Sequence, residues 1–109
     1  MALHEQRCRA CGPGTPPLDE AALAPLLAQL PAWQRLEGGS ALQRDFSFDS
    51  YWAGLGFVNA VAWIAQQEKH HPDIELGYKK VRVRFSTHAA KGLTENDFIC
   101  AAKVDRLLG

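Results

Sequence analysis

Three of the four histidines lie between residues 66 and 88, so they are the first candidates for chemistry. His70 and His71 stand before a proline at the end of a helical pattern, and His88 follows an alternating strand pattern. The segment between them is predicted to run out and back as a hairpin, which would bring its two ends together. An imidazole has an ordinary pKa of about 6.5 and exchanges protons near neutral pH. The trio therefore indicates acid–base catalysis, a metal site or coincidence.

Each of these side chains also has a simpler interpretation. A His-His pair in a loop is most often solvated, and His88 alone would suit a turn. Three histidines can hold a catalytic zinc ion, but ligands on a helix are commonly four residues apart, as in H-E-x-x-H. Adjacent His70 and His71 would have to turn in the same direction, so acid–base use is favoured over a metal. Asp97, in a Thr94–Asp97 capping pattern, could cap its helix or could hold a ligand or an imidazole.

The elements that position these residues follow from periodicity. Helical spacing of apolar residues predicts helices that begin near Asp19, over about residues 51–69, and from Thr94 to about Leu107. Alternation predicts strands at about residues 33–36, 42–48, 74–76 and 81–85. Arg44 is a departure, because it falls on the apolar face of the second strand. The order α-β-β-α-β-β-α with short hairpins predicts an α+β fold, with a four-stranded antiparallel sheet and helices packed on one face.

Composition and charge limit the class of protein. The 109 residues suit one domain, residues 18–109, preceded by a Gly- and Pro-rich flexible arm, residues 1–17. Twelve Lys and Arg balance twelve Asp and Glu, which gives no basic field to attract nucleic acid. No apolar run approaches the roughly 18 residues of a membrane span, and the first residues lack the apolar core of a signal peptide. The expectation is a cytoplasmic protein with reduced cysteines.

The three cysteines give a weaker signal. Cys8 and Cys11 form a C-x-x-C pair in the arm, but a structural zinc site usually needs four ligands. His4 could supply a third ligand and nothing obvious supplies a fourth, and the arm lacks the βαβ setting of a redox motif. A flexible leader is therefore favoured over metal or redox use, and Cys100 is predicted to be a small core residue.

The second predicted helix is apolar on more sides than one sheet can cover. A helix that packs on a sheet needs a single apolar stripe, yet aromatic and aliphatic residues occupy most sides between Tyr51 and Ile64. Gly54 and Gly56 would each cost about 1 kcal/mol relative to Ala and are tolerable where another backbone comes close. These features predict a homodimer or homotetramer formed through the Tyr51–Ile64 helix and the sheet edges.

Several short motifs resemble those of the pterin-4a-carbinolamine dehydratase family, especially its bacterial branch. The most specific are HHP at 70–72, STH at 86–88, KGLT at 91–94 and NDFICAAK at 96–103. LPAW at 30–33, the FVNAVAWIA helix and the C-x-x-C of the arm agree with this resemblance, which covers about Leu18 to Leu107.

The resemblance implies an enzyme that forms dimers or tetramers and converts 4a-hydroxytetrahydropterin, such as 4a-hydroxytetrahydrobiopterin, to quinonoid dihydropterin and water. It implies that one imidazole protonates the departing 4a-hydroxyl while another accepts a ring-nitrogen proton, the catalytic residues being His70, His71 and His88. Substrate-binding positions of the family match Ser86, Thr87 and Asp97. The pterin is the substrate, no metal or other cofactor is implied, and the reaction would recycle the cofactor of aromatic amino acid hydroxylases.

Gln66 departs from the family pattern, since the family usually has an acidic residue four positions before the first histidine. A carboxylate there would favour the protonated form of a neighbouring imidazole, whereas an amide can only hydrogen-bond. Gln66 is therefore a substrate-binding candidate with an expected shift of the pH optimum. Glu68, two positions along the helix, is predicted to face elsewhere.

Two other functions stay open on the same residues. The fold could serve as a non-catalytic assembly or dimerisation cofactor, as it does in some relatives of this family, and that role would use the Tyr51–Ile64 face. A zinc hydrolase is the third hypothesis. The intact trio of His70, His71 and His88 favours catalysis.

Overall fold

The computed structural model describes all 109 residues apart from the side chain of Glu37. Its centre is a four-stranded sheet in the order β1-β2-β4-β3, with every neighbouring pair antiparallel. The strands are β1 Gln34–Leu36, β2 Ala41–Ser47, β3 Asp73–Leu76 and β4 Lys80–Phe85. The predicted α+β class and element order are confirmed.

Three α-helices flank this sheet: α1 Glu20–Ala28, α2 Tyr51–Glu68 and α3 Glu95–Arg106. The Asp19 carboxylate accepts the Ala22 amide at 2.9 Å, and the Ser50 hydroxyl accepts the Ala53 amide at 3.1 Å. Such side chains satisfy amides that have no partner inside the first turn. α2 and α3 pack against β4 and against each other, so these three elements form the frame that carries the histidines. Within the described part of the chain, no helix has the length and apolarity that crossing a bilayer requires.

Alternation along β4 directs one set of side chains into the core. The fully buried members are Val81, Val83 and Phe85. Arg44 pairs with Val83 across the sheet and so lies on the apolar side, as its position in the sequence predicts. Its charge is compensated there, because its Nη1 lies 2.6 Å from Oδ1 of Asp105 and its guanidinium covers the Phe46 ring at 4.4 Å. An arginine is tolerated on this face since both its charge and its planar group have partners.

The first part of the arm, which is predicted to be flexible, packs against α3. Leu3 begins a short 3-10 helix, and only 7% of its surface is exposed. Lys103 of α3 donates a hydrogen bond to the His4 carbonyl oxygen at 2.9 Å. The Gly- and Pro-rich composition predicts the irregular backbone but carries no signal for this packing, which depends on contacts far apart in sequence.

One side of α2 is left uncovered by the rest of the chain. Trp52 is 77% exposed, and Trp63, about three turns further along, is 65% exposed. The surplus of apolar surface that the sequence predicts for this helix is therefore confirmed. The expected close backbone at Gly54 is not found within the chain, because a Cβ there would meet side-chain carbons of Leu76 and Val81 at 3.5 Å.

Candidate active site

His70 and His71 follow the end of α2 after one residue in the left-handed backbone conformation. The helix ends at Glu68, and Lys69 follows with a φ of 54° and a ψ of 40°. The His70 amide reaches back to the Ala65 carbonyl oxygen at 3.1 Å, a bond that closes many helix C-termini. Pro72 then excludes a further helical turn. The backbone at His70 is therefore directed by the helix end on one side and by the proline on the other.

The third histidine lies just beyond the end of β4. After Phe85 the chain passes through Ser86 and Thr87, and His88 opens a short 3-10 helix. An antiparallel bridge between Thr87 and Gly92 closes this segment into a turn. Because β4 pairs with both β2 and β3, the turn is carried by a central strand of the sheet.

All three histidines line one cavity of about 660 Å³. This volume falls within the range of small-molecule sites, about 300–1,000 Å³. His70 is half-buried, whereas His71 and His88 are exposed. Ser86 and Thr87 line the same cavity, so five of the predicted site residues meet there. Among the side chains that the structure describes, no three His, Cys, Asp or Glu residues are grouped as ligands for a metal ion.

His70 is held in place by a carboxylate and an aromatic ring. Its Nε2 lies 2.6 Å from Oδ1 of Asp97, whose side chain has no exposed surface. Its ring is parallel to that of Phe85, with 8° between the planes and 6.0 Å between the centroids. Because the carboxylate accepts, Nε2 carries the proton, and Nδ1 is the nitrogen left to exchange a proton with a ligand.

Asp97 also caps α3, so it makes both the predicted capping contact and the predicted contact with an imidazole. Its Oδ2 accepts the Thr94 amide at 3.0 Å and the Thr87 hydroxyl at 2.7 Å. Since Thr87 gives its hydroxyl proton to Asp97, Thr94 donates in the 2.9 Å contact between the two threonine hydroxyls. The carboxylate lies behind His70 and outside the cavity lining. Asp97 thus positions His70 in this structure, and its contact with a ligand stays a prediction.

Gln66 is expected to face the site and Glu68 to face away from it, and the structure places the two residues the other way round. Gln66 is exposed and lies outside the cavity lining, whereas Glu68 lines the cavity with 5% of its side chain exposed. Phe57, Val61 and Ile64 mark the core-facing side of the helix, and residue 68 comes one turn after Ile64. The helical period thus directs Glu68 inward and Gln66 outward. This signal is present in the sequence.

A further wall of the cavity comes from the arm, which the sequence does not predict. Residues 7–11 line the cavity together with Asn96 of α3. Glu68 anchors this segment, because its Oε1 accepts the Cys8 amide at 2.8 Å and its Oε2 lies 2.8 Å from Nε of Arg7. The Asn96 side chain binds the arm backbone one residue further on, donating at 2.6 Å and accepting at 3.0 Å. The histidines therefore face a space that is partly closed by the arm.

Known sequences match this chain along almost its whole length. The family described as pterin 4 alpha carbinolamine dehydratase matches residues 16–107. A candidate pterin-4-alpha-carbinolamine dehydratase of Stenotrophomonas maltophilia is 52% identical over 107 residues, which cover 98% of this chain and 92% of that protein. Another from Nitrosospira multiformis is 48% identical over 105 residues, 96% of this chain and 91% of that protein.

Solved structures share the fold. A transcriptional coactivator/pterin dehydratase from Brucella melitensis superposes with a TM-score of 0.80 at 32% identity, covering 85% of this chain and 99% of that chain. A pterin dehydratase-like protein identified as a RuBisCO assembly factor in the alpha-carboxysome gives a TM-score of 0.62 at 26% identity, covering 72% of this chain and 90% of that chain. The chain belongs to the pterin-4a-carbinolamine dehydratase family, because the family matches residues 16–107 and two relatives are about half identical to the chain.

Proposed function

We propose that the chain catalyses the dehydration of 4a-hydroxytetrahydropterins, such as 4a-hydroxytetrahydrobiopterin, to quinonoid dihydropterins. The observation that carries this proposal is the contact between His70 and the buried Asp97 beside a cavity that two further histidines line. Family membership supports a pterin carbinolamine as the substrate class, since the family is named for that reaction.

The proposed reaction moves two protons and breaks one bond to oxygen. One protonated imidazole gives its proton to the 4a-hydroxyl, the C4a–O bond breaks, and water leaves. Another imidazole accepts the proton of the adjacent ring nitrogen, and the electron pair left behind completes the new C=N bond. One proton is given and one is taken, so the protein returns to its starting number of protons when the product and water are released.

The three histidines suit these steps for different reasons. His70 is held in one tautomer by Asp97, so its Nδ1 can meet the substrate in a fixed direction. His71 and His88 are exposed and can exchange protons with water between turnovers. The Thr87 hydroxyl is already engaged by Asp97 and by Thr94, which makes Ser86 the better candidate for a hydrogen bond to the pterin.

A stopped-flow assay with 4a-hydroxytetrahydropterin generated in situ tests this proposal. We expect the wild-type chain to accelerate the decay of the carbinolamine over buffer. His71→Ala and His88→Ala should each lower kcat/KM by at least about tenfold, because each removes a group that carries protons. If folded wild-type protein gives no acceleration over buffer, the dehydratase proposal fails.

The arm wall of the cavity gives a separate prediction for Glu68. Glu68→Ala should raise KM about tenfold, a change of about 1.4 kcal/mol in binding, with little change in kcat. The substitution releases the Cys8 amide and Arg7, so the arm loses its anchor, while the histidines keep theirs. Steady-state kinetics separates the two constants. Gln66→Ala, on the exposed side of the same helix, is the control and should leave both constants within about twofold of the wild type. A fall in kcat at unchanged KM for Glu68→Ala would contradict the proposal that Glu68 acts by anchoring the arm.

The source of the substrate follows from its chemistry. A 4a-hydroxytetrahydropterin arises when a tetrahydropterin takes up dioxygen at C4a, the O–O bond breaks, one oxygen passes to the substrate being hydroxylated and the other stays as the 4a-hydroxyl. We therefore infer a functional link to an aromatic amino acid hydroxylase whose cofactor this dehydration recycles. The proposed setting is the cytoplasm, and the pterin is substrate and product with no further cofactor in the reaction.

The uncovered side of α2 bears both on the oligomeric state and on a second candidate function, that of a non-catalytic assembly or dimerisation cofactor for other proteins. Trp52 and Trp63 expose apolar surface there, and we propose that a second copy of the chain covers it, giving a homodimer or homotetramer with the sheet edges as further contacts. Sedimentation velocity should show an oligomer for the wild type and a monomer for Trp52→Glu with Trp63→Glu. A wild type that is monomeric at micromolar concentration would instead favour a different protein as the partner of this face.

A further inference from the structure

Two thiols that are 92 positions apart in the chain lie in contact beside the cavity. Sγ of Cys8, in the arm, is 3.4 Å from Sγ of Cys100, in α3. Cys8 is half-buried, and Cys100 has no exposed surface. Cys11, the neighbour of Cys8 in the C-x-x-C motif, directs its sulfur elsewhere, 3.8 Å from the Arg9 carbonyl oxygen and 3.3 Å from Nδ2 of Asn96.

We propose that Cys8 and Cys100 form an oxidisable dithiol that hydrogen peroxide closes to a disulfide and a thiol reductant reopens. The sequence motif by itself would pair Cys8 with Cys11, so the proposal differs from what the spacing indicates. A disulfide needs the sulfurs to approach from 3.4 Å to about 2.05 Å. Cys8 lies in irregular backbone, which can supply that movement more easily than a helix can.

The chemistry proceeds in two balanced steps. The Cys8 thiolate attacks one peroxide oxygen, so an S–O bond forms, the O–O bond breaks, and the second oxygen leaves as water after taking up a proton. The Cys100 sulfur then attacks the Cys8 sulfur; the S–S bond forms, the S–O bond breaks, and the hydroxyl leaves as a second water with the Cys100 proton. Two thiols are oxidised, and one peroxide is reduced to two waters.

The environments of the two sulfurs favour this order of events. The hydrogen bond with Cys8 and burial raise the pKa of Cys100, so Cys100 stays a thiol and does not meet the oxidant first. Cys8 lines the cavity, so of this pair it is the sulfur that a small oxidant can reach. Cys100 therefore resolves the oxidised Cys8 from the buried side.

The link would act on the arm wall of the cavity. The arm backbone is anchored near Cys8 by hydrogen bonds to Glu68 and Asn96. A covalent bond from Cys8 to α3 would hold residues 7–11 in the position that the structure shows. Because it closes a loop that spans most of the chain, it should also raise Tm by about 10 °C.

Hydrogen peroxide is the probe, followed by thiol titration, intact mass and peptide mapping under non-reducing conditions. The wild type should go from three free thiols to one, lose two hydrogens in mass, give a cross-linked peptide containing Cys8 and Cys100, and regain three thiols with dithiothreitol. Cys11→Ser is the matched control and should form the same cross-link. A peptide joining Cys8 to Cys11, or three thiols retained at peroxide doses that oxidise free cysteine, would overturn the proposal.

A second variant separates loss of the link from loss of folding. Cys100→Ala replaces the resolving cysteine by a small apolar residue and should show no peroxide-induced rise in Tm. The wild type and Cys11→Ser should show the same rise as each other. An equal rise in Cys100→Ala would assign the effect to another modification and contradict the proposal.

Discussion

His70→Ala is expected to lower kcat/KM for a 4a-hydroxytetrahydropterin by about 10²–10⁴-fold, the range that a general acid or base contributes. His70 is the histidine that the fold holds most firmly, with Nε2 2.6 Å from Asp97 and its ring parallel to Phe85. The substitution removes Nδ1, the nitrogen that we propose exchanges protons with the substrate. Most of the loss should fall on kcat, because Ser86 and the arm still form the walls of the cavity. Stopped-flow turnover of the carbinolamine measures it.

Two variants separate the imidazole from its surroundings. His4→Ala removes a histidine that lies outside the cavity lining, and it should leave kcat/KM within about twofold of the wild type. His70→Gln keeps a donor for the Asp97 carboxylate without an imidazole, so it should lose activity as His70→Ala does while retaining more stability. Activity close to wild type in His70→Gln would show that His70 is structural and that protons move elsewhere.

The parts of this site that a sequence can predict are those directed by neighbours along the chain. A helix end and a proline direct His70 and His71, and the end of an alternating strand directs His88. These signals are local, because each depends on only a few neighbouring residues. The hairpin of β3 and β4 between His71 and His88 then brings the three histidines together. For the same reason the helix caps and the four strands are predicted close to their observed bounds.

The inner side of α2 shows where two sequence signals conflict. Distance from the His-His-Pro motif favours Gln66 as a site residue, whereas the helical phase of the buried stripe through Val61 and Ile64 favours Glu68. The structure follows the phase, because burial of the apolar stripe sets the rotation of the helix for every residue on it. A motif comparison ignores this rotation, and the residue that it selects, Gln66, lies outside the cavity lining.

The arm could not be predicted, because its position depends on contacts between distant parts of the chain. Cys8 meets Glu68 60 positions away, and Lys103 meets the His4 backbone 99 positions away. Composition indicates only that residues 1–17 are irregular, and one buried leucine in them is too little to predict a docking surface. The thiol pair of Cys8 and Cys100 belongs to the same class of contact.

Asp97→Ala is expected to lower the free energy of unfolding by about 2–4 kcal/mol and Tm by about 10–20 °C. The carboxylate is fully buried and has three partners: the Thr94 amide, the Thr87 hydroxyl and Nε2 of His70. Each buried donor left without an acceptor costs about 1–3 kcal/mol, and part of this is recovered by relaxation. Urea unfolding measures the change. Glu95→Ala, in the same first turn but exposed, should cost no more than about 0.5 kcal/mol.

Asp97→Asn separates the capping role from the positioning role. Its amide oxygen can replace Oδ2 and accept from Thr94 and Thr87, so stability should fall by no more than about 1 kcal/mol. The amide nitrogen then faces Nε2 of His70 and donates to it, which moves the imidazole proton to Nδ1. The opposite amide orientation is disfavoured, because it would set the amide NH₂ against the Thr94 N–H, which can only donate. The wrong tautomer should lower kcat at least about 100-fold, and an Asp97→Asn protein with wild-type kcat would show that Asp97 caps α3 without directing the chemistry of His70.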